Sequence, residues 1–268
     1  MTKPTSESGD RWLMTWLVNA LPYTIGVVTI LFNVIGNFGN LNVIIATWRN
    51  KALQSKHGWL VSILCFEHSL CLLSEFVNVY FALSGVKITR RSCLWYFSPY
   101  LFVCTLQSTT FIALAFDVLM SFTAVSRYQN WHSFGYCTVM NLVASLLPLA
   151  FLIRLWSQVS DEMIPLCNPP LAMDAEAVDT WGGLITLINI AILAIYGCVY
   201  WLSHKAQKRT SDSRISKRVM RSLTIMVIVF CFSWVTCISM VFLVDYVTKD
   251  PLVILLIRSY AVGYCSIL

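Results

Sequence analysis

The sequence predicts an all-α, membrane-spanning bundle of seven helices with the seventh truncated, and three observations predict it. Hydrophobic residues make up 57% of the chain and charged residues 12%, with a mean hydropathy of +0.69. A soluble domain carries about a quarter charged residues, so a water-soluble surface cannot be assembled from this inventory. The apolar residues are gathered into seven runs, at 20–47, 58–84, 96–125, 134–156, 181–203, 220–245 and 251–268, and roughly 20 apolar residues cross a bilayer core. The runs are too long for barrel strands of about ten residues and lack their alternation. Only helices and closed barrels satisfy their own backbone in lipid, which leaves helices.

Taken in order, residues 1–18 hold Glu7, Asp10, Arg11, Trp12 and Trp16 and have no small-residue cleavage site before the first run. They read as an extracellular N-terminus, and residues 19–268 as a single seven-span domain whose first span is its own insertion signal. That span contains Asn37, Gly39 and Asn40. In the second, Glu67, Cys71, Ser74 and Asn78 recur at i, i+4, i+7 and i+11, with His68 and Glu75 overlapping the same face. Ionisable groups in hydrocarbon are costly and face a bundle interior. The stripe is expected to be a hydrogen-bonded packing seam with Asn37 and Asn40; a proton or ion path is the alternative.

The third span opens beyond Cys93 and contains Tyr100, Cys104 and Asp117, the fifth contains Asn189, and the sixth contains Phe230, Trp234 and Cys237. The seventh, 251–268, has Arg258 part-way along it and at 1.5 Å per residue reaches roughly 27 Å. It is expected to fall short of a full crossing.

Lys and Arg in short loops set orientation. The connections at 48–57, 127–133 and 203–221 hold Arg49, Lys51, Lys56, Arg127, Lys205, Lys208, Arg209, Arg214, Lys217, Arg218 and Arg221 against the single acid Asp212. They are placed in the cytoplasm, with the N-terminus outside; Lys87, Arg90 and Arg91 dissent. The net charge of +6 therefore belongs to a membrane-adjacent loop and points to the lipid bilayer, or to a cytoplasmic partner met by Lys217, Arg218 and Arg221. It does not point to nucleic acid.

Cys93 and Cys167 fall in loops on the outer, oxidising side and are expected to form a disulfide. The histidines His57, His68, His132 and His204 have no ligand spacing. No HExxH, GxSxG or glycine-rich phosphate loop occurs. Neither a metal, a cofactor nor an enzyme activity is expected.

Cys93 to Asp117 is 24 residues, which carries a helix roughly 36 Å from one membrane face to the other. With Gly39-Asn40, that spacing resembles a rhodopsin-type G-protein-coupled receptor. Four strings resemble, more narrowly, the nematode serpentine receptors of class sx: LCFEHSLCLLSEFVN at 64–78, CLWYFSPYLF at 93–102, CNPPLAM at 167–173 and Ser233-Trp234. The resemblance implies a chemoreceptor of a sensory neuron's plasma membrane that detects an external small molecule or peptide and relays to a heterotrimeric G protein.

On this resemblance the ligand lies beneath a lid of Cys167, Asn168, Pro169 and Pro170, lined by Tyr100, Cys104, Asn189, Phe230, Trp234 and Cys237. No carboxylate is expected at that depth, so an apolar or weakly polar ligand is expected. The G protein would meet Asp117, Arg127, Tyr128, Lys217, Arg218 and Arg221, with Asp117 holding the inactive state by pairing with one of those bases, Arg127 being the nearest candidate. Val118 stands where such receptors place an arginine, Val125 replaces the proline of a Pro-x-Arg-Tyr ending, and no proline follows Trp234. These departures and the short seventh span leave a degenerate receptor or a non-signalling membrane partner of a full-length receptor as alternatives, and the polar stripe of the second span leaves a transporter or channel subunit.

Overall fold

The computed structural model describes residues 6–207 together with Phe232, Thr236, Leu243 and Tyr246, which have helical backbone. The expected sixth and seventh spans otherwise lie outside the described residues. Helices α1 (Ser6–Arg49), α2 (Lys56–Ser84) and α3 (Arg90–Thr123) are followed by the short α4 (Val125–Asn130), α5 (Ser133–Gln158), the single turn α6 (Pro169–Ala172) and α7 (Ala175–Gln207). Five of these, α1, α2, α3, α5 and α7, are long and apolar enough to cross a membrane, and they correspond to the first five expected spans.

The helices outrun the apolar runs because hydropathy marks membrane burial, whereas helix ends answer to caps. The bilayer-length part of α1 is Gly26–Arg49, but Glu7, Asp10 and Arg11 do not stop a helix, and α1 begins at Ser6. Residues 1–18, expected as a separate N-terminal segment, are thus largely the first turns of α1. Thr89 caps α3 by accepting from the Ser92 amide at 3.3 Å, which starts the helix six residues before the apolar run. Asp174 does the same for α7, accepting from the Ala177 amide at 2.7 Å. At its C-terminus α2 ends on Gly85 at φ 61°, a left-handed conformation that glycine adopts without steric cost.

The bundle keeps an apolar core and also exposes large apolar side chains that a soluble protein would cover. Phe38 is 71% and Phe134 77% exposed, while Thr29, Asn33, Glu67, Glu75, Asn78, Thr105, Thr110 and Asp117 are buried. Water would penalise that arrangement and hydrocarbon favours it. Helix α3 is the hub, packing on α2, α5, α6 and α7, and α1 packs on α2. Pro148 inside α5 removes the amide that would serve the Ala144 carbonyl; the Thr109 hydroxyl of α3, which also lies 2.8 Å from the Leu106 carbonyl of its own helix, reaches that carbonyl at 2.8 Å.

At one end, β1 (Ile88–Thr89) and β2 (Met163–Ile164) pair antiparallel, Ile88 opposite Ile164. The expected disulfide is present: Cys93 and Cys167 are bonded across 74 residues. It ties the start of α3 to the α5–α7 connection, where the Asn168 side chain caps α6 by accepting from the Leu171 amide at 2.9 Å. The dissenting cations are accounted for here. Arg90 pairs with Glu162 at 3.1 Å and Arg91 with Asp161 at 3.2 Å, so two of the three charges at this end are met by acids of the facing loop.

Candidate functional site

Two polar regions lie at different depths of α3, one below the disulfide and one at its far end. In the first, α2 and α3 run antiparallel, which brings the outer half of each to the same depth. Glu75 is 3% exposed and accepts from Asn78 at 3.0 Å; its carboxyl also meets the Tyr100 hydroxyl. One turn below, the Cys71 and Cys104 thiols are hydrogen-bonded. Two turns below, Glu67 is 4% exposed and accepts from Thr110 at 3.1 Å. Oxygen Oε2 of Glu67 and Oε1 of Glu75 have no hydrogen-bond partner among the described residues. The result is a column of polar groups sealed between two helices.

This column corrects one expectation. Tyr100 and Cys104, expected as ligand lining, stand on it and meet Glu75 and Cys71 of α2. A carboxyl, Glu75, does stand at their depth, which reading α3 along its own length could not reveal. The seam to α1 is also displaced by about one turn. Asn33 donates to the Leu72 carbonyl, Asn37 donates to Asn33 Oδ1 at 2.7 Å, and Asn40 Nδ2 has no partner among the described residues. Gly36 explains the register, because a Cβ there would lie 2.6 Å from Leu72 Cδ1. His68 is half-buried on the flank of the stripe. Asn189 lies on α7, half-buried, with Oδ1 unpartnered among the described residues. Phe230, Trp234 and Cys237 lie outside the described residues.

At the far end, Asp117 is 1% exposed. Its Oδ1 accepts from the Tyr128 hydroxyl at 2.9 Å, and its Oδ2 lies 3.1 Å from His57 Nδ1. Lys56, 7% exposed, donates to the Tyr128 carbonyl and sits 4.3 Å from the centre of the Tyr128 ring. The Tyr128 ring meets Tyr136 edge-on, 5.9 Å between centroids, and Trp131 stacks on Tyr136. Burial first, and then the Asp117 charge, push the Tyr128 phenol pKa up, so it remains a donor. The starts of α2 and α5, the end of α3 and the connecting α4 are thereby latched together.

Of the expected G-protein-facing residues, the structure brings Asp117 and Tyr128 together and leaves Arg127 out. Arg127 is exposed on α4 with no ion pair among the described residues, which corrects its expected pairing with Asp117. The chain turns at Ala124, where the helix ends, and α4 presents Tyr128 inward in place of Arg127. Lys217, Arg218 and Arg221 lie outside the described residues. Sequence reasoning missed Lys56, His57 and Tyr136; the lysine was read as a topology signal and the histidine only as a metal-ligand candidate. Among the described residues no group of three or more His, Cys, Asp or Glu side chains could hold a metal ion.

A bundle of membrane-length helices with a disulfide-tied lid at one end of its central helix and a buried aspartate at the other is that of a multi-pass membrane protein. The family model described as serpentine type 7TM GPCR chemoreceptor Srsx matches residues 33–267. The chain belongs to this family of serpentine chemoreceptors.

Proposed function

We propose that this chain is a chemosensory G-protein-coupled receptor, orientated with its N-terminus outside, that detects an external small molecule or peptide below the Cys93–Cys167 lid. The observation that carries the proposal is the layout of α3. Its disulfide end is pinned to the lid, its other end to the Asp117 latch, and the polar column lies between them. A ligand displacing Tyr100 or Cys104 against α2 would bias a two-state bundle and loosen the latch, admitting a heterotrimeric G protein at Arg127, Tyr128, Lys217, Arg218 and Arg221. Glu75 adds an acceptor to that region, so a ligand with a hydrogen-bond donor fits it better than a wholly apolar one. Asn189, Phe230, Trp234 and Cys237 are proposed to complete the lining.

The test combines topology with signalling. An epitope tag at the N-terminus should be reached by antibody in intact cells, and membranes carrying the chain and a Gα subunit should show raised nucleotide exchange on Asp117→Asn. A tag reached only after permeabilisation, or exchange unchanged in a variant shown to be at the surface, would sink the proposal. The open oxygens of Glu67 and Glu75 favour one second reading, an ion-conducting subunit, and a measured cation flux across vesicles containing the chain would support that instead.

A further inference from the structure

Between the two carboxyls of the polar column, α2 and α3 bring two thiols face to face. Cys71 is fully buried, Cys104 is half-buried, and their thiols are hydrogen-bonded to each other. The rungs above and below hold them there. Down α2, Glu75, Cys71 and Glu67 follow at intervals of four residues, and along the antiparallel α3 Tyr100, Cys104 and Thr110 follow at intervals of four and six. The Tyr100 hydroxyl meets Glu75 and the Thr110 hydroxyl reaches Glu67 at 3.1 Å. The two cysteines are 104 − 71 = 33 residues apart on different helices, so no ligand spacing in the sequence marks them.

We propose that Cys71 and Cys104 form a two-coordinate site for a soft monovalent cation, copper(I) or its redox-inert analogue silver(I). Donor type and donor number select that ion. Thiolate sulfur prefers soft metals. Structural zinc takes four ligands, and among the described residues no group of three or more His, Cys, Asp or Glu side chains could hold a metal ion. Calcium and magnesium take about six or more oxygens. The open oxygens here, one on Glu67 and one on Glu75, belong to residues two turns apart, roughly 12 Å along α2. Two facing sulfurs satisfy the linear coordination of a monovalent d10 ion with no further ligand.

The proton balance closes within the column. Binding breaks two S–H bonds, forms two S–metal bonds and displaces two protons. Oε2 of Glu67 and Oε1 of Glu75 have no partner among the described residues, and their residues lie one turn on either side of Cys71. Ionised, those oxygens are acceptors for the displaced protons. Each carboxylate that takes one becomes neutral, and the net charge of the column rises only by the single charge of the cation. The bound ion joins α2 to α3 in the folded chain alone, so it stabilises that state by mass action.

The experiment uses the full chain, purified in mild detergent without reductant, and follows its thermal inactivation with added silver nitrate. Silver is expected to raise the inactivation temperature by several degrees. Cys71→Ser and Cys104→Ser should each abolish that rise, whereas Cys65→Ser and Cys198→Ser, at a half-buried and an exposed cysteine, should keep it. Should a variant of the pair fail to fold, stoichiometry decides. With Cys65, Cys137, Cys198, Cys231, Cys237 and Cys265 replaced by serine, the chain should bind one silver ion for its two thiols, and X-ray absorption of the same chain loaded with copper(I) should show two sulfur neighbours. Two silver ions per chain, a copper shell with a single sulfur, or a rise that survives Cys71→Ser would overturn the proposal. So would a Cys71–Cys104 disulfide found by peptide mass spectrometry in the chain as purified, which would make the pair a second cross-link and not a metal site.

Discussion

Tyr128 donates its hydroxyl hydrogen to Oδ1 of Asp117 at 2.9 Å, across the bend that separates α4 from α3. The carboxyl group of a buried aspartate thus meets a phenol and a histidine, with no guanidinium among its partners in the described residues. That choice of partner determines how the far end of the bundle responds to substitution.

Tyr128→Phe should raise basal nucleotide exchange several-fold while the chain still reaches the cell surface, because it removes one charge-assisted bond of about 1.5–3 kcal/mol. Arg127→Ala, which removes a proposed G-protein contact and no bond of the latch, should not raise basal exchange. Equal effects from the two would mean that the latch is not built on Tyr128. The phenol's raised pKa also has a sign. Protonation is retained in the folded state while the unfolded phenol ionises near pH 10, so the latch's contribution is undiminished below about pH 10 and is lost only above it. Basal exchange followed from neutral to alkaline pH checks this.

Cys93→Ser, or Cys167→Ser, opens a closure spanning 74 residues. The chain-entropy argument puts the loss at about 4 kcal/mol. Surface expression should fall sharply, and the double substitution should be no worse than either single one. Additive losses would show that the cysteines act separately.

Gly36 and Gly39 differ by one turn and should behave oppositely. A Cβ at Gly36 would meet Leu72 Cδ1 at 2.6 Å, and one at Gly39 would meet nothing within 4 Å. Gly36→Ala should cost about 1 kcal/mol by overpacking, relieved in a Leu72→Ala background; Gly39→Ala should be neutral or stabilising. Thermal inactivation of the purified chain distinguishes these outcomes.

Thr109→Val leaves the Ala144 carbonyl of α5 without its donor and should cost about 1 kcal/mol. Pro148→Ala restores an amide to that carbonyl, so the cost of Thr109→Val should shrink in the Pro148→Ala background. A double-mutant cycle on thermal stability measures the coupling, and strict additivity would remove Thr109 from this role.

Much of this was legible in the residues. Cys93 and Cys167 stood out because both fall between spans while most other cysteines fall within them. Glu67 and Glu75 stood out because a carboxylate in hydrocarbon must face inward. The errors share a cause, which is that proximity along the chain was taken for proximity in space. Arg127 is ten residues from Asp117, but the turn at Ala124 rotates it outward and brings Tyr128 in. Asn40 lies on the right face of α1, yet the close approach at Gly36 sets the contact to α2 at Asn33.

The sequence by itself determined the membrane class, the helical spans, the inward faces and the disulfide, because each follows from hydropathy, helical period or the compartment of a loop, all properties of a short stretch of chain. Tertiary structure alone decided which polar group meets which: Glu75 with Tyr100, Thr109 with the Ala144 carbonyl that Pro148 leaves open, Asp117 with Tyr128 and His57. Such pairings depend on the relative depth and rotation of two helices, and those are set by side-chain packing between segments far apart in sequence.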